Sequence, residues 1–180
     1  MNTAIEFDEQ SLKWKNEIAL KREIVIFGAD YMANFPFYEL CRKCNFENAI
    51  YNRSIPGLTT QAALELMAQS FFTLVPRKLF LQLGENDDDF EKALVNYAAI
   101  LKTLKTKLPD TEVLVVYCFS PEHRDFNTRL FELCRVENVK TAFINSSPLP
   151  KDYPRVFKLL AANFRNRRID IQEAFPQAQL

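Results

Sequence analysis

The feature that most narrows what this chain can fold into is a repeated alternation of short, almost wholly apolar runs with longer stretches of helical spacing. Glu23 to Gly28 (EIVIFG), the run opening at Lys78 (KLFLQLG) and Glu112 to Phe119 (EVLVVYCF) have strand length and are rich in Ile, Val, Leu and Phe. Two shorter runs, Asn48 to Asn52 and Thr141 to Ile144, complete a set of five. A strand that is apolar on both faces belongs in a parallel sheet covered on both sides, because an antiparallel sheet with one wet face would alternate. Between the strands, Phe37 to Cys44, Leu58 to Leu74, Asp88 to Leu108 and Phe126 to Glu137 have helical periodicity, and Tyr153 to Phe164 follows the last strand. Right-handed crossovers then predict an α/β protein: a three-layer α/β/α sandwich on a five-stranded parallel sheet, in the flavodoxin-like order 2-1-3-4-5.

Local chemistry sharpens the boundaries. Thr59 or Thr60 is placed to cap the helix after the second strand, and Pro76 closes that segment. In Asp88 to Leu108 the apolar residues Phe90, Leu94, Tyr97, Ile100, Leu101 and Leu104 share one face, acids lead, and Lys102, Lys105 and Lys107 close. Ser11 to Leu20 reads as an N-terminal helix capped by Ser11 or Asp8, with Leu12, Trp14 and Ile18 as its packing residues.

At 180 residues one domain is expected over residues 1–180, with a helical extension over 1–22 and a tail over 165–180 of unassigned structure. The balance of 23 basic and 23 acidic residues gives no electrostatic footprint for nucleic acid or an anionic membrane. No apolar run reaches bilayer length, and the acidic N-terminus does not have the basic-then-apolar order of a signal peptide, so the expected location is cytoplasmic. The four cysteines, Cys41, Cys44, Cys118 and Cys134, are read as reduced structural thiols. Cys41 and Cys44 have C-x-x-C spacing but sit late in a helix, without the further ligands zinc needs.

In the expected architecture the loops leaving the first four strands share one edge of the sheet, where open α/β sheets build their sites. Those loops carry Gly28-Ala29-Asp30, Asn52 to Gly57, Gly84-Glu85-Asn86-Asp87, and Ser120 to His123. All three glycines of the chain, Gly28, Gly57 and Gly84, stand in these turns.

Three of these stretches carry a resemblance. IVIFGADYM is similar to the first block of the SGNH (GDSL-type) hydrolases, YNRSIPGLTT to the second and LQLGENDDD to the third. With the alternating pattern, the resemblance covers Glu23 to about Phe164 and rests most on the third block. It implies an esterase, lipase, thioesterase or carbohydrate deacetylase ancestry. In that family a serine of the first block attacks an acyl carbon. Its backbone N–H, the glycine of the second block and the asparagine of the third hold the oxyanion, and a C-terminal Asp-x-x-His supplies the base. Carried over residue by residue, Gly57 and Asn86 stand at the oxyanion-donor positions. The family's Asp-Ser is here Ala29-Asp30, so a carboxylate stands in the nucleophile's place. Ser146 and Leu149 align with the Asp and His of the last block, and no histidine follows His123.

Without a hydroxyl and a base the family's reaction has no nucleophile at neutral pH. A carboxylate beside the oxyanion donors would accept their hydrogen bonds itself and fill the hole. Each residue also has a plainer use. Asp30 can be a ligand contact, a nucleophile or a helix cap, and Asn86 can simply fold its own turn. Asp87-Asp88-Asp89 can hold Mg²⁺ or form an acidic first helical turn, of which the second is expected. His123 is either a relocated base aimed at Asp30 or a bound water, or a solvated loop residue. Tyr31, Phe35, Phe37 and Tyr38 line a pocket mouth or fill the core, and Arg165-Asn166-Arg167-Arg168 makes a solvated helix end. The expectation is therefore an SGNH-like protein with a degenerate triad that keeps a pocket for a small molecule, such as a carbohydrate or acyl ester, bound through Asp30, Gly57 and Asn86. No metal, cofactor, nucleic acid or membrane enters this reading. The alternatives are an esterase or carbohydrate-ester deacetylase rebuilt on Asp30, His123 or a metal, and an interaction subunit whose cleft is packed shut.

Overall fold

The structure is a computed structural model that describes residues 11–118, 120–142 and 150–164. The sheet has five strands, β1 (Ile24–Gly28), β2 (Ile50–Asn52), β3 (Lys78–Gln82), β4 (Glu112–Val116) and β5 (Lys140–Ala142), in the order β2-β1-β3-β4-β5. Every neighbouring pair is parallel, with Ile24 opposite Ile50 and Lys78, Lys78 opposite Glu112, and Leu114 opposite Lys140. The fold class and strand order are those the sequence predicts.

Seven helices pack around this sheet among the described residues: α1 (residues 11–17), α2 (Asp30–Ala33), α3 (Phe37–Lys43), α4 (Thr60–Phe71), α5 (Phe90–Lys107), α6 (Arg124–Val136) and α7 (Tyr153–Phe164). Alternate strand residues feed two cores. Val25, Phe27, Leu79, Leu81 and Val115 pack with Leu12 of α1 and the inner faces of α4, α5 and α6. Ile24, Ile26, Phe80, Leu114 and Val116 pack with α2, α3 and α7. All five residues of β1 and of β3 are buried, which is why these strands lack the alternation of a one-sided sheet.

Lys78 and Gln82, at the two ends of β3, are its polar residues. Only 5% exposed, Lys78 donates through Nζ to the Asn163 carbonyl near the end of α7 at 2.6 Å and lies 3.1 Å from Glu112 Oε2. One buried ammonium therefore holds a helix C-terminus, where cations are favoured, against the middle of the sheet.

Capping follows local chemistry. The Thr59 side chain accepts from Ala62 N at the start of α4, and Asp89 accepts from Lys92 N at the start of α5. After α4 the chain tightens into a 3₁₀ turn over Phe72–Leu74 and reverses at Val75, which takes a left-handed φ of 43° just before Pro76.

Several expectations change. The N-terminal helix stops at residue 17, and Trp14 (62% exposed) and Ile18 (87%) face outward, leaving Leu12 as the residue that packs. What ties α1 down is polar. Asn16 Nδ2 donates to the carbonyls of Gln69 and Ser70, and the buried Arg53 donates to Asn16 Oδ1 and to the Lys15 carbonyl. The strand expected from Thr141 runs Lys140–Ala142. Asp8, Ile144, Ser146, Leu149 and the stretch 165–180, with its arginine cluster, lie outside the described residues. No described helix is long and apolar enough to cross a membrane.

Candidate functional site

The carboxyl ends of β1, β2 and β3 deliver three turns to one rim, and hydrogen bonds join all three. β1 ends at Gly28, where a side chain would meet the Gln82 carbonyl at 2.7 Å. The chain then enters α2 with Asp30 as its first residue. From the turn after β2, Gly57 N donates to Asp30 Oδ2 at 3.0 Å. From the turn after β3, Asn86 Nδ2 donates to the same oxygen at 2.6 Å, and also lies 3.4 Å from the Leu58 carbonyl. Asp30, Gly57 and Asn86 are thus brought together, and both expected oxyanion donors point at the residue-30 carboxylate. Charge-assisted bonds of this kind are shorter and stronger than neutral ones.

The turn after β3 is fixed from several sides. Gly84 has φ +107°, a conformation that side-chain-bearing residues rarely adopt, and a Cβ there would lie 2.4 Å from the buried Phe126 ring. Glu85, the next residue, accepts from Tyr31 N at 2.8 Å through Oε1 and from Gln82 Nε2 at 2.9 Å through Oε2. Asp87 accepts from Thr60 N at 2.9 Å and from the Thr60 hydroxyl at 2.6 Å, while Asn96 Nδ2 donates to Thr60 Oγ1 at 3.1 Å. The second of the three aspartates, Asp88, is exposed, and the third caps α5. The acidic run therefore does what helix termini ask of carboxylates. No group of three or more His, Cys, Asp or Glu suited to a metal occurs among the described residues.

Asp30, Glu85 and Asp87 take their hydrogen bonds from amides and a hydroxyl, and none of them pairs with a Lys or Arg among the described residues. Cys118 sits beneath this turn, its Sγ 3.3 Å from the Leu83 carbonyl and 3.9 Å from Gln82 Nε2. Burial, with Glu85 adding to it, pushes its thiol far above the ordinary range, so it offers no thiolate.

His123 is not the solvated loop residue that its charged neighbours suggest. It is 6% exposed rather than solvated, its ring lies 5.4 Å from that of Phe90, and Nδ1 has no hydrogen-bond partner. The 3₁₀ turn Pro121–His123 carries it inward against the start of α5, and no hydrogen bond links it to Asp30. The aromatic set divides. Phe35 and Phe37 are buried and stack with each other at 4.7 Å, and Phe35 also meets Tyr153 at 5.0 Å. Tyr38 is 71% exposed, with Arg42 over its ring.

Glu85, Asn52 and Thr60 are rim residues that sequence reasoning did not single out. Asn52 donates to the Met32 carbonyl at 2.8 Å and accepts from Ser54 N at 3.1 Å, fixing the second turn against α2. The available signal for Glu85 was Gln82, a polar residue in a largely apolar strand, since a buried amide must find a partner.

Chemically, the rim converges two N–H donors, Gly57 N and Asn86 Nδ2, on one carboxylate oxygen, Asp30 Oδ2. The hydroxyls of this rim are those of Thr60, which donates to Asp87, and Ser54, whose buried Oγ has no hydrogen-bond partner.

No family model and no curated protein matches the sequence. Solved structures do resemble it in shape. A Streptococcus pneumonia protein provisionally named as a platelet activating factor superposes with a TM-score of 0.79 at 18% identity, over 91% of this chain and 94% of its own. A GDSL-like lipase from Bacteroides thetaiotaomicron gives 0.65 at 12% identity, over 95% and 98%. The psychrotrophic esterase EstA from Pseudoalteromonas sp., in a structure inhibited by monoethylphosphonate, gives 0.64 at 14% identity, over 87% and 100%. With its strand order, its three turns on one rim and these likenesses, the chain has the α/β fold of the SGNH (GDSL-type) hydrolases.

Proposed function

We propose that this chain is an SGNH-hydrolase-like protein in which the serine mechanism has been replaced by a binding site. The observation that carries this reading is the Asp30 carboxylate, whose Oδ2 receives both the Gly57 N–H and the Asn86 amide. In an acyl hydrolase those donors wait for a negative charge that forms only in the transition state. Here the Asp30 side chain holds them in the ground state, so an incoming acyl oxygen meets a carboxyl group instead of a hole. Asp30 is a poor replacement nucleophile, because attack would leave an anhydride that still needs an activated water. His123, walled in by Phe90 and without a bond to Asp30, does not supply the base.

The ligand is a small molecule that presents a hydrogen-bond donor to the free oxygen, Asp30 Oδ1. A sugar hydroxyl has this chemistry, which suits a carbohydrate better than a bare acyl carbonyl. Purified protein tested against short p-nitrophenyl esters and a serine-directed phosphonate is expected to show neither turnover nor a covalent adduct. Esterase activity that disappears in Asp30→Asn or His123→Ala would overturn the proposal.

A further inference from the structure

The four cysteines fall into two classes. Cys118 and Cys134 are buried, and burial, with Glu85 beside the first and Glu137 beside the second, raises both thiols out of reach of neutral pH. Cys41 and Cys44 are free and only half-buried, at the end of α3. Three positions apart, they share one helix face, and both pack against the core that α2, α3 and α7 cover.

The backbone fixes how far apart they stand. Cys44 follows the final residue of α3, yet its N–H still donates to the Leu40 carbonyl at 2.9 Å, the i to i−4 bond of an α-helix. The chain then reverses at Asn45, with a left-handed φ of 48°, and Phe46 N donates back to the Cys41 carbonyl at 2.8 Å. At the rise and twist of an α-helix, positions three apart have Cα atoms about 5 Å apart. Disulfides span roughly 4.4–6.8 Å between Cα atoms, so this pair can be bridged with the backbone in place. The thiols also feel each other: burial first, and then Cys44, raises the Cys41 thiol. Neither sulfur has a hydrogen bond among the described residues to give up when they join.

We propose that Cys41 and Cys44 are a redox pair, which closes to an intrahelical disulfide by exchange with a small-molecule disulfide such as oxidised glutathione. The Cys44 thiolate attacks one sulfur of the reagent, whose S–S bond breaks, and the other half leaves as a thiolate that takes up a proton. The Cys41 thiolate then attacks Cys44 Sγ in the mixed disulfide and expels the second thiol. The protein gives up two thiol hydrogens, and the reagent is reduced to two thiols. Cys44 attacks first, because burial keeps Cys41 in its thiol form.

The place on the helix decides what such a pair can do. A cysteine pair that opens a helix has its thiolate stabilised by the positive end of the dipole, which makes its disulfide a strong oxidant. Cys41 and Cys44 close a helix, at its negative end, with Arg42 and Lys43 between them offsetting part of that field. Their disulfide is a weak oxidant of other proteins and accumulates as the surroundings become oxidising. The pair registers thiol–disulfide balance and does not catalyse exchange.

Trypsin cuts after Arg42 and Lys43, so a closed pair appears as peptide 23–42 joined to peptide 44–53. The native full chain is incubated with oxidised glutathione, quenched with N-ethylmaleimide, and digested without reduction for mass spectrometry. The joined peptide is expected as the main product, with Cys118 and Cys134 free of glutathione. In Cys41→Ser it should be lost, leaving glutathione on Cys44. Wild-type chains with glutathione on Cys44 and no joined peptide, a joined peptide confined to disulfide-linked dimers, or one formed only in urea would each overturn the proposal. Transfer of the disulfide to a reduced dithiol peptide faster than from oxidised glutathione would overturn it as well. The wild-type digest decides without any variant having to fold. It is also independent of the rim, since neither cysteine is hydrogen-bonded to Asp30, Gly57 or Asn86.

Discussion

Removing the Asp30 carboxylate tests the central geometry. In Asp30→Ala the Gly57 N–H and the Asn86 amide, now 3.0 and 2.6 Å from Oδ2, lose their acceptor. Hydrogen bonds to a charged group contribute about 1.5–3 kcal/mol each when buried, but Gly57 is exposed and Asp30 and Asn86 are half-buried, so water reclaims part of the loss. A combined cost of about 2 kcal/mol is expected, which for a chain of this length lowers Tm by roughly 4–8 °C. Asp30→Asn should cost less than half of that, because both bonds end on one oxygen and an amide carbonyl can take its place, losing only the assistance of charge. The variants also differ in what they bind. Asp30→Ala frees two preorganised donors, so added acetate should restore part of its Tm at millimolar concentrations where sodium chloride does not, while the wild type responds to neither. Acetate stabilises by RT ln(1 + [L]/Kd), so a Tm series gives Kd directly. An Asp30→Ala protein as stable as the wild type, or one on which acetate acts no differently from chloride, would refute the claim that this carboxylate occupies a working hole.

Three other outcomes follow from the same coordinates. Gly84→Ala places a Cβ in a backbone of φ +107° and 2.4 Å from the Phe126 ring, so it should cost about 3–5 kcal/mol in urea unfolding. Gly57→Ala, at φ +72° with nothing within 4 Å, should cost only about 1 kcal/mol. Burial pushes the Glu112 carboxyl up, but hydrogen bonds from Lys140 and Lys78 outweigh it and hold the group below its ordinary 4.5. Its contribution is therefore complete above that value and lost as the pH falls through the lower folded one. Lys78→Met should flatten the acid side of the stability profile as well as lower its plateau. In native protein an alkylating agent at about pH 8 should modify Cys44 first and Cys41 more slowly, because burial and then Cys44 itself raise the Cys41 thiol; Cys134, pushed up to about 12 by burial and then Glu137, should react only on unfolding.

The sheet was legible because its physics is short-range in the chain. A strand buried on both faces must be apolar throughout, as β1 and β3 are, and a helix over it must keep one apolar stripe, as α5 does with Tyr97, Ile100, Leu101 and Leu104. The N-terminal helix misled for the opposite reason. Its apolar residues Trp14 and Ile18 are exposed, and it is held by Asn16 and Arg53, a pair 37 positions apart that no periodicity discloses. His123 misled in the same way: a lone histidine between Glu122 and Arg124 looks solvated, and only the 3₁₀ turn that follows Ser120 carries it against Phe90.

The rim is held by the same hydrogen bonds whether or not it catalyses a reaction. Asp30, Gly57 and Asn86 are separated by 27 and 29 positions, and what singled them out was the resemblance of their three turns to the SGNH blocks, each turn following an apolar strand. Those donors are structural, for they bind three loops into one edge, and the edge needs an acceptor for them whatever its chemistry. A residue without an acceptor at position 30 would leave an N–H and an amide converging on nothing, whereas a carboxylate satisfies both with one oxygen. On the reading proposed above, the residue that stands in the nucleophile's place also supplies the acceptor, so an acid here bears on stability and ligand polarity before it bears on catalysis.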